Sequence, residues 1–177
     1  MSVSNRLIEQ VLVLRCQIGD RSALVELIER YQAPLRYFVA RLIEDPEMAE
    51  DILQDTWLAV IRKIHTLRQF DTFSTWLYRI ARNSVYKELR KKKHLCLLAE
   101  DVAAPGDNEE PVFSPEDAAR VHVCLERLRP EHKEVLMLRF LEQMLYEQIS
   151  QVIGCKVGTV RSRIHYAKRA LKREMET

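Results

Sequence analysis

Glycine and proline are scarce in this chain, four and six among 177 residues. So few chain-reversing residues disfavour a turn-rich β architecture and favour helices. Long apolar runs are missing too. The stretch Val11-Leu12-Val13-Leu14 is bounded by Gln10 and Arg15, so no signal peptide and no membrane span is expected, and a cytoplasmic protein is the default. None of the four cysteines, Cys16, Cys96, Cys124 and Cys155, forms a CxxC pair, and no histidine stands near enough to complete a zinc motif. They read as ordinary thiols in a reducing compartment. No nucleophile–base pair, phosphate loop or metal cluster is recognisable, so neither an enzyme, a cofactor nor a metal is expected.

What is present is a 47% hydrophobic content, enough for a folded core, and a charge that is striped although it nets only +2. Residues 44–55 carry Glu44, Asp45, Glu47, Glu50, Asp51 and Asp55 and no base. Residues 79–93 carry Arg79, Arg82, Lys87, Arg90 and Lys91 to Lys93 against Glu88 alone. Residues 99–117 hold seven acids with Pro105, Gly106, Pro111 and Pro115, and 156–173 are basic again, without an acid. Two basic segments suit two contacts with a polyanion, although solvated helix faces give the same pattern.

The apolar periodicity predicts an all-α chain of two small helical domains joined by a flexible acidic linker: 1–95, linker 96–119, and 120–177. In the first domain helices break near Gly19-Asp20, with Asp20 a candidate cap. Leu24, Leu27, Ile28, Tyr31, Leu35 and Phe38 form an apolar stripe, which Pro34 is expected to kink or bound. Asp45-Pro46 opens the next helix, whose inward stripe is expected to be Ala49, Ile52, Leu53, Thr56, Trp57, Val60, Ile61 and Ile64. Asp51, Gln54 and Asp55 share another face. After a connection from His65 to Thr72, Phe73, Trp76, Leu77, Ile80, Ala81 and Val85 mark one more helix. In the second domain Pro130 starts a helix with a stripe through Val135, Leu136, Leu138 and Leu141. A short helix from about Tyr146 to Ile153 ends at Gly154, and a final helix opens near Thr159 on Val160, Ile164, Ala167 and Leu171.

Three groupings carry chemistry. Short helix, glycine turn and basic amphipathic helix make a helix-turn-helix, whose second helix enters the major groove. Arg161, Ser162 and His165 project from its first turns, where arginine can grip guanine. Lys168, Arg169 and Lys172 lie further along, better placed for phosphates. Between Phe70 and Asn83, aromatics alternate with arginines beside a loop, a composition that can stack unpaired bases, although Phe73 and Trp76 also fit a core. Asp51, Gln54 and Asp55 form a face better suited to protein docking or plain solvation than to metal binding or acid–base work.

Glu50-Asp51-Ile52-Leu53-Gln54-Asp55 and Thr75-Trp76-Leu77-Tyr78-Arg79-Ile80-Ala81-Arg82-Asn83, within Glu47 to Asn83, closely resemble region 2 of extracytoplasmic-function sigma factors. Leu125-Glu126-Arg127-Leu128-Arg129-Pro130-Glu131, Val135-Leu136-Met137-Leu138-Arg139-Phe140 and Val157-Gly158-Thr159-Val160-Arg161-Ser162-Arg163 resemble region 4 of the same family, in family order. The resemblance implies a sigma factor that directs promoter recognition, strand opening and transcription initiation. Its expected partners are core RNA polymerase, promoter DNA and an anti-sigma factor of the kind the family often uses. It implies that Asp51, Gln54 and Asp55 dock on the polymerase. It implies that Arg68, Gln69, Phe70, Asp71, Thr72 and Phe73, with Arg79, Arg82, Asn83 and Tyr86 behind them, meet the single-stranded −10 element. Thr159, Arg161, Ser162, Arg163, His165, Lys168 and Arg169 are then expected on the −35 duplex.

The chain departs from the family pattern in three places. Leu67 to Phe73 is short and lacks the glycine of longer base-capture loops, Tyr166 stands where a basic residue is common, and Ser150 stands where alanine is usual, a small packing change. The competing function is a helix-turn-helix repressor or activator that acts without polymerase docking. Such a protein has no need of the Asp51/Gln54/Asp55 face or of Trp76 to Asn83.

Overall fold

The structure is a computed structural model that describes residues 3–69, 72–93 and 118–176. It divides into two units, Met1–Leu97 and Leu98–Thr177. The described residues form eight α-helices and no strand. Most of the expected linker, 96–117, and the base-loop residues Phe70 and Asp71 lie outside the described residues.

In the first unit α1 runs Val3–Gln17, α2 Arg21–Leu42, α3 Pro46–Lys63 and α4 Phe73–Lys93, with a 3₁₀ turn at Ile64–Thr66. The helix starts follow local chemistry. Asp20 caps α2 by accepting from the Ser22 and Ala23 N–H groups, and Asp45 caps α3 by accepting from those of Glu47 and Met48, with Pro46 in the first turn. Arg15 binds Asp20 at 2.8 Å and Glu26 at 3.3 Å, fastening the end of α1 to the start of α2. These interactions hold the Asp20 carboxyl down at about 2, chiefly through Ser22 and then Arg15.

Pro34 neither bounds nor splits α2, which continues through it to Leu42. Proline leaves the Arg30 carbonyl without its usual donor, but buried Tyr31 and Leu35 anchor both sides of the gap. The core is rich in rings. Tyr31 meets Phe73 edge-on at 5.5 Å between centroids, and Phe38 meets Tyr78 at 5.2 Å. Such pairs add directional preference to the area they bury. They seat α4 on α2.

The second unit holds α5 (Ala118–Glu126), α6 (Pro130–Leu136), α7 (Tyr146–Ile153) and α8 (Val157–Glu176). Helices α5, α6 and α7 all pack on α8. Pro130 opens α6, and α7 closes on Gly154 at φ +75°, a left-handed conformation that costs glycine nothing. Helix α8 begins at Val157, two residues before the expected Thr159, and its stripe Val160, Ile164, Ala167 and Leu171 is buried. The expected stripe through Leu141 fails at its last member. A π turn spans Met137–Leu141, with the Glu142 N–H donating to the Met137 carbonyl at 3.1 Å. The extra residue in that turn leaves Phe140 and Leu141 outside, 44% and 47% exposed.

Candidate polymerase and nucleic-acid interfaces

Helix α3 presents Asp51, Gln54 and Asp55 together on its exposed side, at the i, i+3, i+4 spacing that brings side chains into register. Among the described residues no ion pair engages either aspartate. Glu50, one position away, is paired with Arg36 of α2 and so does not join them. The face continues along the helix into Leu58 and Ile61, 46% and 47% exposed. Ile61 was expected inside. The core takes its neighbours Val60 and Ile64 instead, and Trp57 is only half-buried. Leu58 could have been found from the sequence, because it stands three and four residues beyond Asp55 and Gln54.

The segment after α3 is held on its backbone side. The Gln17 side-chain amide donates to the carbonyls of Ile64 and Leu67, both at 2.8 Å. Arg68 and Gln69 follow with exposed side chains. Thr72 closes toward Gln69, its hydroxyl donating to the Gln69 carbonyl at 2.7 Å and its N–H to the same oxygen at 3.2 Å. Phe73 was expected to meet DNA and does not lie where it can. It is fully buried between Tyr31 and Trp76, because the first residue of α4 falls on that helix's inner face with Leu77, Ala81 and Val85.

On the opposite face of α4, Arg79, Arg82, Asn83 and Tyr86 recur at helical spacing, with Arg79 and Asn83 exposed. The Arg82 guanidinium stacks over the Tyr86 ring at 4.3 Å. This arrangement offers a flat aromatic–cation surface of the sort that favours base stacking. Lys87 and Arg90 of the basic segment, exposed further along α4, extend this side beyond the residues expected on the −10 element.

In the second unit the α7–α8 turn is fixed locally. The Gly154 N–H donates to the Ser150 carbonyl at 2.9 Å, and the Ser150 hydroxyl donates to the Cys155 carbonyl at 2.6 Å. Ser150 is thus more than a packing change, since an alanine there has no hydroxyl to close the turn. Along α8, Arg161 and Arg169 are exposed, and Thr159, Ser162, Arg163, His165 and Lys168 are half-buried. The Ser162 hydroxyl donates to the Thr159 carbonyl at 3.0 Å, and Lys168 lies 5.2 Å over the exposed Phe140 ring.

A cleft of about 880 Å³ runs beside this helix, lined by Ser162, Arg163, Tyr166, Arg169 and Arg173 on α8 and by Arg127, Arg129 and His132 from the start of α6. Glu174 and Glu176 line the cleft too, with Arg127 3.7 Å from Glu174, and sequence reasoning did not single out Arg127 and Arg129. Their signal was two arginines flanking Leu128 immediately before the Pro130 helix start. Among the described residues no cluster of His, Cys, Asp and Glu suits a metal ion, and no helix is long and apolar enough to cross a membrane.

Comparison with known proteins places these faces in context. The family model Sigma-70 region 2 matches residues 27–95, and Sigma-70, region 4 matches residues 118–171. The chain is 34% identical to the RNA polymerase sigma-H factor of Pseudomonas aeruginosa, over 95% of this chain and 94% of that one. It is 31% identical to the ECF RNA polymerase sigma-E factor of Haemophilus influenzae, over 98% of each. Among solved structures, the sigma factor RpoE of Bartonella quintana, co-crystallised with the anti-sigma factor NepR, aligns with a TM-score of 0.67. That alignment has 24% identity and covers 86% of this chain and 96% of the other, a likeness of fold.

Proposed function

The chain belongs to the sigma-70 family, in its extracytoplasmic-function branch, and from that membership we propose how its two units share the work. As a sigma factor it serves RNA polymerase in promoter recognition and transcription initiation. Residues 1–95 dock on core polymerase and hold the opened −10 element, and residues 120–177 read the −35 duplex. Strand opening needs a separate site for unpaired bases, because each unstacked step costs a few kcal/mol that only new contacts can offset. A rigid helix in the major groove suffices for the duplex.

In this division Asp51, Gln54 and Asp55 face the polymerase, with Leu58 and Ile61 adding apolar area to the same surface. Arg68, Gln69 and Thr72 meet the unpaired −10 bases, backed by Arg79, Arg82, Asn83 and Tyr86. Arg161, Ser162 and His165 meet −35 base edges, while Lys168 and Arg169 contact phosphates, with Arg127 and Arg129 across the cleft. Thr159 and Arg163 stand at the same end of α8. The protein acts in the cytoplasm, where the polymerase is, and regulates without a catalytic step of its own. An anti-sigma factor is the further partner, as in the co-crystal of the Bartonella protein.

The observation that carries the reading is the exposed α3 face, whose acids have no ion-pair partner among the described residues although Glu50 beside them has one. A repressor working without polymerase has no use for it. Asp51→Arg combined with Asp55→Arg sets like charge against the docking surface, a change worth several kcal/mol. The double variant is expected to lose co-purification with core polymerase while keeping −35 duplex binding by the second unit. Undiminished co-purification would return the repressor reading.

A further inference from the structure

Helix α1 carries none of the proposed DNA or polymerase contacts, yet two of its side chains hold the chain on either side of the base loop. Gln17 spends both amide hydrogens at the loop's entry, on the Ile64 and Leu67 carbonyls. The Ile64 carbonyl at the end of α3 already accepts from the Leu67 N–H at 3.1 Å, and the amide adds a second donor there while tying down the Leu67 carbonyl as well. At the loop's exit Glu9, only 2% exposed, accepts from the Tyr31 hydroxyl, and the Tyr31 ring packs edge-on against Phe73, the first residue of α4. Eight residues of helix separate the two grips, about 12 Å along the α1 axis at ~1.5 Å per residue. Leu12 and Val13, buried between them, hold α1 itself in place.

We propose that α1 positions the flanks of the −10 loop, with Gln17 gripping its entry and Glu9 holding its exit through Tyr31, so that Arg68 and Gln69 on one side and Thr72 on the other are presented to unpaired bases. The proposal rests on the reading of that loop as the −10 base contact. The side chains of Arg68 and Gln69 point to solvent while the backbone just before them is tied down. Contact residues whose flanking backbone is held in advance pay less conformational entropy on binding, and they discriminate better because a wrong base is less readily accommodated by moving the chain. Gln17 and Glu9 are positioning residues in this scheme, since neither touches DNA.

The test uses the full chain in complex with core polymerase. Binding is measured on forked DNA with each of the four bases at each exposed −10 position, and in parallel on duplex −35 DNA. Gln17→Met keeps the length of the side chain and removes both donors. It is expected to weaken fork binding about three- to tenfold, on the scale of one or two lost hydrogen bonds, and to narrow the ratio between preferred and disfavoured bases. Core co-purification and −35 affinity should stay as they were. Gln17→Lys restores a donor at that length and should recover most of the base preference, which a merely structural defect would not allow. Glu9→Gln, which keeps an acceptor for the Tyr31 hydroxyl, should retain the base preference.

Gln69→Ala and Arg68→Ala separate the two levels of the argument. If either of them alters base preference and Gln17→Met does not, α1 does not position the loop. If neither alters fork binding, the base-loop reading falls and the grip falls with it. If Gln17→Met lowers fork, duplex and polymerase binding together, its role is general stability and the proposal is overturned.

Discussion

Four rings stand among the aliphatic chains of the first unit's core, and the described core of the second unit has none. Tyr31, Phe38, Phe73 and Tyr78 are buried between Leu27 and Val85, while the buried set from Cys124 to Leu171 contains no aromatic among the described residues. The two units orient their working faces differently as a result. In the first, edge-on ring pairs fix the rotation of α4 against α2, and bonds spanning 47 and 50 residues fix the loop. In the second, the turn into α8 closes within six residues, by Gly154 and by the Ser150 hydroxyl on Cys155, while α5, α6 and α7 pack along the helix and Arg120 donates to the Met175 carbonyl 55 residues on. On the proposed division, a duplex offers a groove of defined shape to one rigid helix, whereas unpaired bases have no fixed shape and call for a surface held in advance.

The severest way to break this contrast is through a ring. Phe73→Ala is expected to cost about 3–5 kcal/mol of first-unit stability, the usual result of emptying a buried phenylalanine site. Trp57 and Trp76 both lie in that unit, so tryptophan fluorescence follows it alone, while circular dichroism reports both. The fluorescence transition in denaturant should move to lower concentration and a second dichroic transition should stay put. If both move together, the units do not fold independently.

A smaller change sharpens the contrast on the DNA side. Arg161→Ala should cost about 1–3 kcal/mol at one −35 base pair and relax the preference there, as a lost base-edge contact does. Lys172→Ala should weaken all duplexes alike and lower the salt slope by about one unit, as a lost phosphate contact does. Binding series on base-substituted −35 duplexes at several salt concentrations distinguish the two. Neither variant should affect forked −10 DNA. Loss on the fork alone would reverse the proposed division.

The smallest effect concerns pH. Burial pushes the Glu9 carboxyl above its ordinary 4.5, against the pull of Tyr31, Arg30, Ser74 and Arg6. The folded first unit therefore holds that proton more tightly than the unfolded chain. The contribution is fully present below 4.5 and is lost as pH rises through the raised value. Fluorescence-monitored stability of Glu9→Gln should lack this decline, with the second unit's transition as an internal reference. An unchanged pH profile would remove Glu9 as its source.

Signals that act within a few residues were legible in the sequence. Asp20, Asp45 with Pro46, Pro130 and Gly154 marked helix ends by their own hydrogen-bonding and backbone chemistry, and spacing alone put Asp51, Gln54 and Asp55 on one face. Features that depend on a distant partner were not. Phe73 beside arginines reads equally as base platform or core, and Tyr31, forty-two positions earlier, decides for core. Gln17 and Glu9 look like ordinary polar residues on a helix until α3 and α4 arrive beside them. Pro34 passes as a breaker until the buried contacts on either side of it are counted. The π turn has no local signature, so Leu141 was assigned inward from α-helical periodicity. Phe70, Asp71 and the acidic linker lie outside the described residues.

That π turn bears on how the chain can change length. Deleting a residue from an ordinary helix rotates everything after it by about 100°, because each residue is one step of a 3.6-fold screw. Between Met137 and Leu141 the screw already carries one surplus step, marked by the Glu142 to Met137 bond. Loss of a single residue there is expected to close the backbone into a plain α-helix with Val135 and Leu136 before it, and Met144 and α7 after it, in their present packing, and an unchanged melting transition of the deletion variant would show it. What changes is the outer surface, where Phe140 leaves its place beneath Lys168.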